Sequence, residues 1–411
     1  MVNKSDAAAI SNAFDQLVND TGIQQALAFI ENDHPLTIEE QIALTEIPAP
    51  PFKEQRRAEN FMKRLKDLGL ADVHMDAEGN VYGLRKGKGK GPRIFVSAHL
   101  DTVFPEGTDT TVHQKEGVLH APGIGDDTRG LAELLAVVRA FNEADIENSG
   151  DIIFGGTVGE EGAGDLRGVK AFFREHQDID AFLSLDGPGF NYITYLGTGS
   201  YRYKITYKGP GGHSFAAFGT PSATHALGRA MAAIADLETT SEPKTTFSIG
   251  EVSGGTSVNA IAQEASMLVD LRSNDQGELD KLEQRFLEIV QEAAQAENRR
   301  WNDDRLQVES DRFGNRPPAS QSVGEPIVQV ASAALRALGA EPELKEPSST
   351  DANYPMSIGI PAITIGLGGE FDKAHTLEEW HDPKNGHLAI QKSLMTILGL
   401  VGVEKISSPL L

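Results

Sequence analysis

His99 and Asp101 stand two residues apart in Ser97-Ala98-His99-Leu100-Asp101-Thr102-Val103, just after the apolar run Ile94-Phe95-Val96. Such a run predicts a buried strand. Residues two apart on an extended chain point the same way, so the strand end offers an imidazole to a metal and a carboxylate to orient it. His-x-Asp alone equally describes a surface turn after a strand, and short motifs match by chance. Four further segments change the balance: Gly125-Asp126-Asp127, Gly159-Glu160-Glu161-Gly162, Asp186-Gly187, and His375 with Glu379 four residues on. Two imidazoles (His99, His375) and three carboxylates (Asp126, Glu161, Asp186) suit a pair of borderline divalent ions such as zinc. One carboxylate can bridge ions about 3.5–4 Å apart. Glu160 beside Glu161 is a repulsive pair, relieved if one acid binds metal and the other shuttles a proton. The chain has no cysteine. Thiolate ligands and disulfides are therefore excluded, and His, Asp and Glu must hold any metal.

The elements that must position these residues read as an α/β pattern. Residues 7–46 carry apolar positions at helical spacing and predict short helices. Residues 47–52, rich in proline, predict a loop, and 54–68 a helix stopped by Gly69. A strand is expected at 80–84, then a solvated hairpin tip at the Lys-Gly repeat 86–91. After the His99 strand come a helix at 131–141, a strand at 151–158, a helix at 166–176 and a strand at 181–185. This alternation predicts a mostly parallel sheet flanked by helices. In such sheets ligands sit beyond the carboxyl ends of the strands, where His99, Asp101, Glu160, Glu161 and Asp186 all fall. From residue 198 the grammar changes to strand, helix, strand, strand, helix, strand, at 200–207, 221–237, 245–252, 264–272, 277–296 and 305–310. That order is the ferredoxin-like βαββαβ unit. The expected division is a catalytic domain in two parts, 1–197 and 316–411, interrupted by a dimerisation and lid domain at 198–315. In the last part a helix is expected at 327–338, a strand at 361–365 and a helix at 389–401.

With 411 residues the chain can build two domains with real cores. A formal net charge of −23 argues against nucleic acid and anionic membrane as partners. No apolar run approaches a membrane span, and residues 1–9 do not read as a secretory signal. A cytoplasmic protein is the expectation. Gly123-x-Gly125 lacks the third glycine that a dinucleotide fingerprint requires.

The five motifs, in this order, resemble the di-zinc metallohydrolases that include tripeptidase T, carboxypeptidase G, aminoacylase and acetylornithine deacetylase. The resemblance spans nearly the whole chain, inserted domain included. It implies two divalent ions per chain, zinc before cobalt or manganese. His99 and Asp186 would bind one, Glu161 and His375 the other, and Asp126 would bridge them, joined to Asp127 by a cis peptide bond. Asp101 would orient the site and Glu160 would be the general base. The segment Gly209-Pro210-Gly211-Gly212-His213-Ser214 resembles the one that lends a histidine to the neighbouring subunit of a homodimer. Asn259 and Arg272 resemble substrate-anchoring positions. For these three residues the plain alternatives are a loop histidine, a turn asparagine and a strand-end arginine. His381 rivals His375 as last ligand; His375 matches the family's His-then-Glu spacing. Departures at Thr128-Arg129 and over 215–224 bear on substrate rather than on chemistry. The reaction implied is amide hydrolysis in short peptides, with N-acyl amino acids as the alternative substrate and a non-catalytic metal- or peptide-binding protein as the alternative of another class.

Overall fold

A computed structural model describes residues 4–411. The chain forms two compact units, one from the residues up to Gly197 with Ser320–Leu411, the other from Thr198–Ala319.

The first unit contains an eight-stranded sheet ordered Ala71–Met75, Val81–Arg85, Asp151–Thr157, Arg93–His99, Ala181–Leu185, Ala362–Ile365, Tyr192–Thr194, Glu343–Leu344. The four middle strands of the order, Asp151–Thr157 through Ala362–Ile365, run parallel. They are almost wholly buried, as expected of parallel strands covered on both faces. Val81–Arg85 and Tyr192–Thr194 join them antiparallel, and at the edge Glu343–Leu344 pairs parallel with Tyr192–Thr194. Helix Thr128–Glu143 is apolar nearly all round and lies in the core with Phe154, Ile363 and Leu394. A separate four-stranded sheet, Glu370–Asp372, Trp380–Asp382, Val118–His120, His113–Lys115, carries the His375 loop between its first two strands. Strands of three residues are too short to show a period, and the sequence reading missed them.

Two expectations are corrected. Residues 7–46 lie not in short helices but in two longer ones, Lys4–Asn19 of 16 residues and Thr21–Thr45 of 25, the second continuing through Pro35. Asp20 caps it, accepting from the amides of Gly22 and Ile23 at 2.9 and 3.0 Å. Burial of Ile23, Ala26, Ile30 and Leu44 outweighs the missing N–H of Pro35. The Lys-Gly repeat is not a hairpin tip, because Asp151–Thr157 lies between the strands it connects. It docks on residues 148–150, with the amides of Lys88 and Gly89 donating to the carbonyls of Asn148 and Ser149. A Cβ on Gly91 would collide with the backbone of Gly150.

The second unit is an antiparallel sheet ordered Thr245–Gly254, Glu264–Ser273, Gly199–Lys208, Gln307–Arg316, with helices Ala223–Ala235 and Gln276–Trp301. Alternation along Gly199–Lys208 sends Tyr201, Tyr203, Ile205 and Tyr207 into the apolar core, where the Tyr207 hydroxyl donates to the Val290 carbonyl at 2.9 Å. Among the described residues no helix is long and apolar enough to cross a membrane.

Candidate metal centre

The carboxyl ends of the parallel strands and the loops beyond them bring together His99, Asp101, Asp126, Glu160, Glu161, Asp186 and His375. Donor atoms fall into groups within 4.8 Å of one another: His99 with Asp126 and Asp186, His99 with Glu160 and Glu161, and Asp126 with Glu161 and His375. Asp126 is shared between the first and the last. Its Oδ1 lies 2.8 Å from His99 Nε2 and its Oδ2 3.1 Å from His375 Nε2, which is also 2.8 Å from Glu161 Oε1.

His99 is held from three sides. Its amide donates to Asp127 Oδ2 at 2.7 Å, and its Nδ1 donates to the Asp101 carbonyl at 3.0 Å. That second bond leaves Nε2 as the nitrogen available to a metal. Arg57, fully buried, donates to the Leu100 carbonyl at 2.9 Å and to the Ile47 carbonyl at 3.0 Å, fixing the link between His99 and Asp101. Asp127 also caps the following helix, accepting from Gly130 N at 3.2 Å, and the Asp126–Asp127 peptide bond is cis.

The Asp101 carboxylate works on the acidic pair rather than on the imidazole. It accepts from the amides of Glu160 and Glu161 at 3.1 and 2.9 Å, while its nearer approach to His99 Nδ1 is 3.7 Å. The turn entering that pair is braced at each residue. Val158 N donates to Asn80 Oδ1 at 3.0 Å, and the Gly159 carbonyl accepts from Leu166 N at 2.8 Å. Gly159 has a φ of 70°, a backbone conformation that suits glycine.

Glu379 holds the loop that presents Asp126. It is buried, and its carboxylate accepts from the amides of Gly123, Gly125 and Asp126 at 2.8, 2.8 and 3.0 Å. Burial pushes its pKa up to about 7, against those hydrogen bonds. The sequence reading used Glu379 only as spacing and missed Arg57 altogether. The spacing was the one available signal for Glu379; an arginine within a helix gives none.

The electrostatics call for cations. Burial disfavours a charged His99, yet Asp127, Asp126 and Asp101 outweigh it and hold the ring well above its ordinary pKa. Hydrogen bonds to Asp126 and Glu161 push His375 up to about 10. Burial alone would raise Asp126, but both imidazoles hold it well below the usual range. Burial lifts Asp186 well above it, with repulsion from Asp126, Glu160 and Glu161 adding to the effect. The carboxylates thus draw protons onto the two rings. Divalent ions meet the same demand and displace those protons on binding. Nitrogen and oxygen donors converging from five segments fit such ions.

In the second unit His213 is exposed, on a two-residue ladder with Ala260. Its Nδ1 accepts from the amides of Phe215 and Ala216 at 3.2 and 3.4 Å, so a neutral ring carries its proton on Nε2. Asn259 is its neighbour: the Asn259 carbonyl accepts from Ser214 N at 2.9 Å. Arg272, on Glu264–Ser273, donates to Asp270 Oδ2 at 2.6 Å. His381 is a core residue. Gln41 Nε2 donates to its Nδ1 at 3.0 Å and its Nε2 donates to the Gly368 carbonyl at 3.0 Å, while burial lowers its pKa to about 3.

Residues 95–396 match the model of peptidase family M20/M25/M40. The chain is 26% identical over 357 residues to the uncharacterized protein YqjE of Bacillus subtilis, covering 83% of this chain and 92% of that one. It is 25% identical over 333 residues to a succinyl-diaminopimelate desuccinylase of Corynebacterium glutamicum, covering 79% and 86%. In fold it is similar to the aminopeptidase PepT of Bacillus cereus, with a TM-score of 0.71, 23% identity, and 89% and 98% of the two chains covered. A family match over most of the chain, with a cluster that could hold metal at the ends of a parallel sheet, means that this protein belongs to peptidase family M20/M25/M40, a family of metal-dependent hydrolases.

Proposed function

We propose that the protein is a two-ion exopeptidase that hydrolyses the amide bond near one end of short peptides. The observation that carries this reading is Asp126, whose two carboxylate oxygens face two different histidines and which belongs to two ligand groups at once. His99 and Asp186 would hold one ion, Glu161 and His375 the other, and Asp126 both. Zinc suits this donor set best, with cobalt and manganese as alternatives. Bound there, divalent ions supply Lewis-acid chemistry, polarising an amide carbonyl and acidifying water toward neutral pH. Glu160 takes the proton of the attacking water and passes it to the leaving nitrogen. Asp101 keeps Glu160 and Glu161 in register through their amides.

His213 presents Nε2–H as a donor for the oxyanion that forms when water attacks, a contribution of about 3–4 kcal/mol for one good donor. In this reading it acts across a cytoplasmic homodimer, on the partner subunit's site, and Asn259 and Arg272 anchor the substrate. Mixing His213→Ala with Glu160→Gln after subunit exchange tests the arrangement. Activity should recover to about a quarter of wild type, since about half the dimers are mixed and one of their two sites is whole. No recovery despite demonstrated exchange removes the trans arrangement.

The similarity to a protein named aminopeptidase supports peptides as substrates. The similarity to a desuccinylase supports the second reading, hydrolysis of an N-acyl amino acid. A screen of di- and tripeptides against N-acyl amino acids, with protein reloaded with zinc, cobalt or manganese, decides between them. Hydrolysis of neither class by fully loaded protein would overturn both and leave a binding protein.

A further inference from the structure

Asp351 lies outside the ligand set, yet it is 2% exposed and only half satisfied. Its Oδ2 accepts from the Thr157 hydroxyl at 2.6 Å, and its Oδ1 is buried without a hydrogen-bond partner among the described residues. A buried carboxyl in that state is costly, and such groups persist where function holds them. Its charged surroundings do not explain it as a structural ion pair. Burial first, then repulsion from Glu160, pushes its pKa up to about 7; Asp101 repels it as well, against the Thr157 hydrogen bond and the attraction of His99.

Thr157 connects this acid to the site. It ends the strand Asp151–Thr157, three residues before Glu160. Its side chain is buried, and Ser97 Oγ lies 3.1 Å from Thr157 Oγ1. A hydroxyl has one proton, and the shortest contact takes it to Asp351, so Ser97 donates to Thr157 and Thr157 to Asp351. The Thr157 carbonyl is already used by Leu100 N at 2.7 Å. The other residues of the turn, Val158 to Glu161, are each braced through main-chain atoms. Thr157 is held through its side chain as well, and that brace comes from a distant part of the chain.

We propose that Asp351 is a positioning residue: through the Thr157 hydroxyl it fixes the start of the turn that aims Glu160 at the reacting atoms. This rests on the assignment of Glu160 as general base. The anchor needs an acceptor at Oδ2, not a charge, and that separates it from a general electrostatic effect.

The test uses the full-length, metal-loaded protein with Asp351→Ala, Asp351→Asn, Thr157→Val, Thr157→Ser and the double variant Thr157→Val/Asp351→Ala. Measured are kcat and KM on the peptide found in the screen, metal content, and amide hydrogen exchange over residues 158–161. Asp351→Ala and Thr157→Val should each lower kcat about tenfold or more, because small displacements of a catalytic group are that costly, with KM and metal content unchanged. Asp351→Asn and Thr157→Ser keep the acceptor and the hydroxyl and should stay within about threefold of wild type. The double variant should be no worse than either single one, since both cut the same link. Exchange over 158–161 should quicken in the first two variants and not in the conservative pair. Asparagine as damaging as alanine, effects that multiply in the double variant, or unchanged exchange overturns the proposal. If Asp351→Ala does not fold, Thr157→Val against Thr157→Ser, with Asp351→Asn, decides alone. Exchange needs no substrate, so the anchor can stand or fall apart from the peptidase reading.

Discussion

The two halves of the candidate metal centre are built to different standards. His99, 3% exposed, ends a central strand and is pinned through its amide, its Nδ1 and the Leu100 carbonyl beside it. His375 has a side chain 54% exposed, a φ of 67°, and a place on a loop of the small sheet. Asp126 belongs to both halves and is held by Glu379. The difference teaches that one half is rigid before any ligand arrives, while the other can adjust. A buried, second-sphere-supported ligand keeps its ion; an exposed loop ligand lets its ion exchange.

The largest expected effect belongs to neither half. Glu160→Gln should lower kcat by about 10²–10⁴-fold, with the metal content of both halves intact. Loss of an ion in that variant, seen by elemental analysis, would move Glu160 from base to ligand and break the division drawn here.

Removing one histidine from each half sharpens it. His375→Ala should weaken one ion in a chelator competition by at least the about 10–100-fold that loss of a supporting residue costs, and leave the other in place. His99→Ala should also lower the melting temperature, because it opens a buried, hydrogen-bonded position. In wild type, chelation should be biphasic, with the His375-side ion leaving first. A single phase, or equal melting temperatures for the two variants, would make the halves equivalent.

Glu379→Ala tests the shared ligand. Three amides around Asp126 lose their acceptor, so both ions should weaken together, by about 10–100-fold. Weakening confined to one ion would assign Asp126 to one half.

The smallest effect concerns His381, six residues from His375 and its rival in the sequence. Its pKa is lowered to about 3 by burial, against an ordinary value of 6.5. The unfolded chain therefore binds a proton that the folded one refuses. Stability is fully present above about pH 6.5 and declines as pH falls toward 3. Denaturant unfolding of metal-free protein should show a loss of about 2 kcal/mol from this group between pH 6.5 and 5. His381→Gln should flatten that part of the curve. An unchanged slope would mean that the ring is not held neutral.

Much of this was open to reading in the sequence because it depends on local order. Ile94-Phe95-Val96 had to be a buried strand, and residues two apart at its end had to share a side. The acid pair and Asp186 follow apolar strands, so an alternating α/β chain had to put them at one end of one sheet. The family resemblance rested on those same stretches, and the family match covers them. The inserted βαββαβ order followed from the change of period at residue 198.

What the linear order could not decide was who holds whom. Arg57 reaches the Leu100 carbonyl across 43 positions, Glu379 the Asp126 amide across 253, and Thr157 the Asp351 carboxylate across 194. Nothing in the spacing of such residues marks them, because their partners are backbone atoms or single side chains brought near only by sheet closure. The small sheet under His375 is of the same kind: its strands of three residues exist only because they find each other. His375 and His381 look alike as letters. Tertiary structure made one an exposed ligand candidate and the other a neutral core residue, since burial and hydrogen-bond partners, not sequence position, set whether an imidazole can carry charge or bind metal.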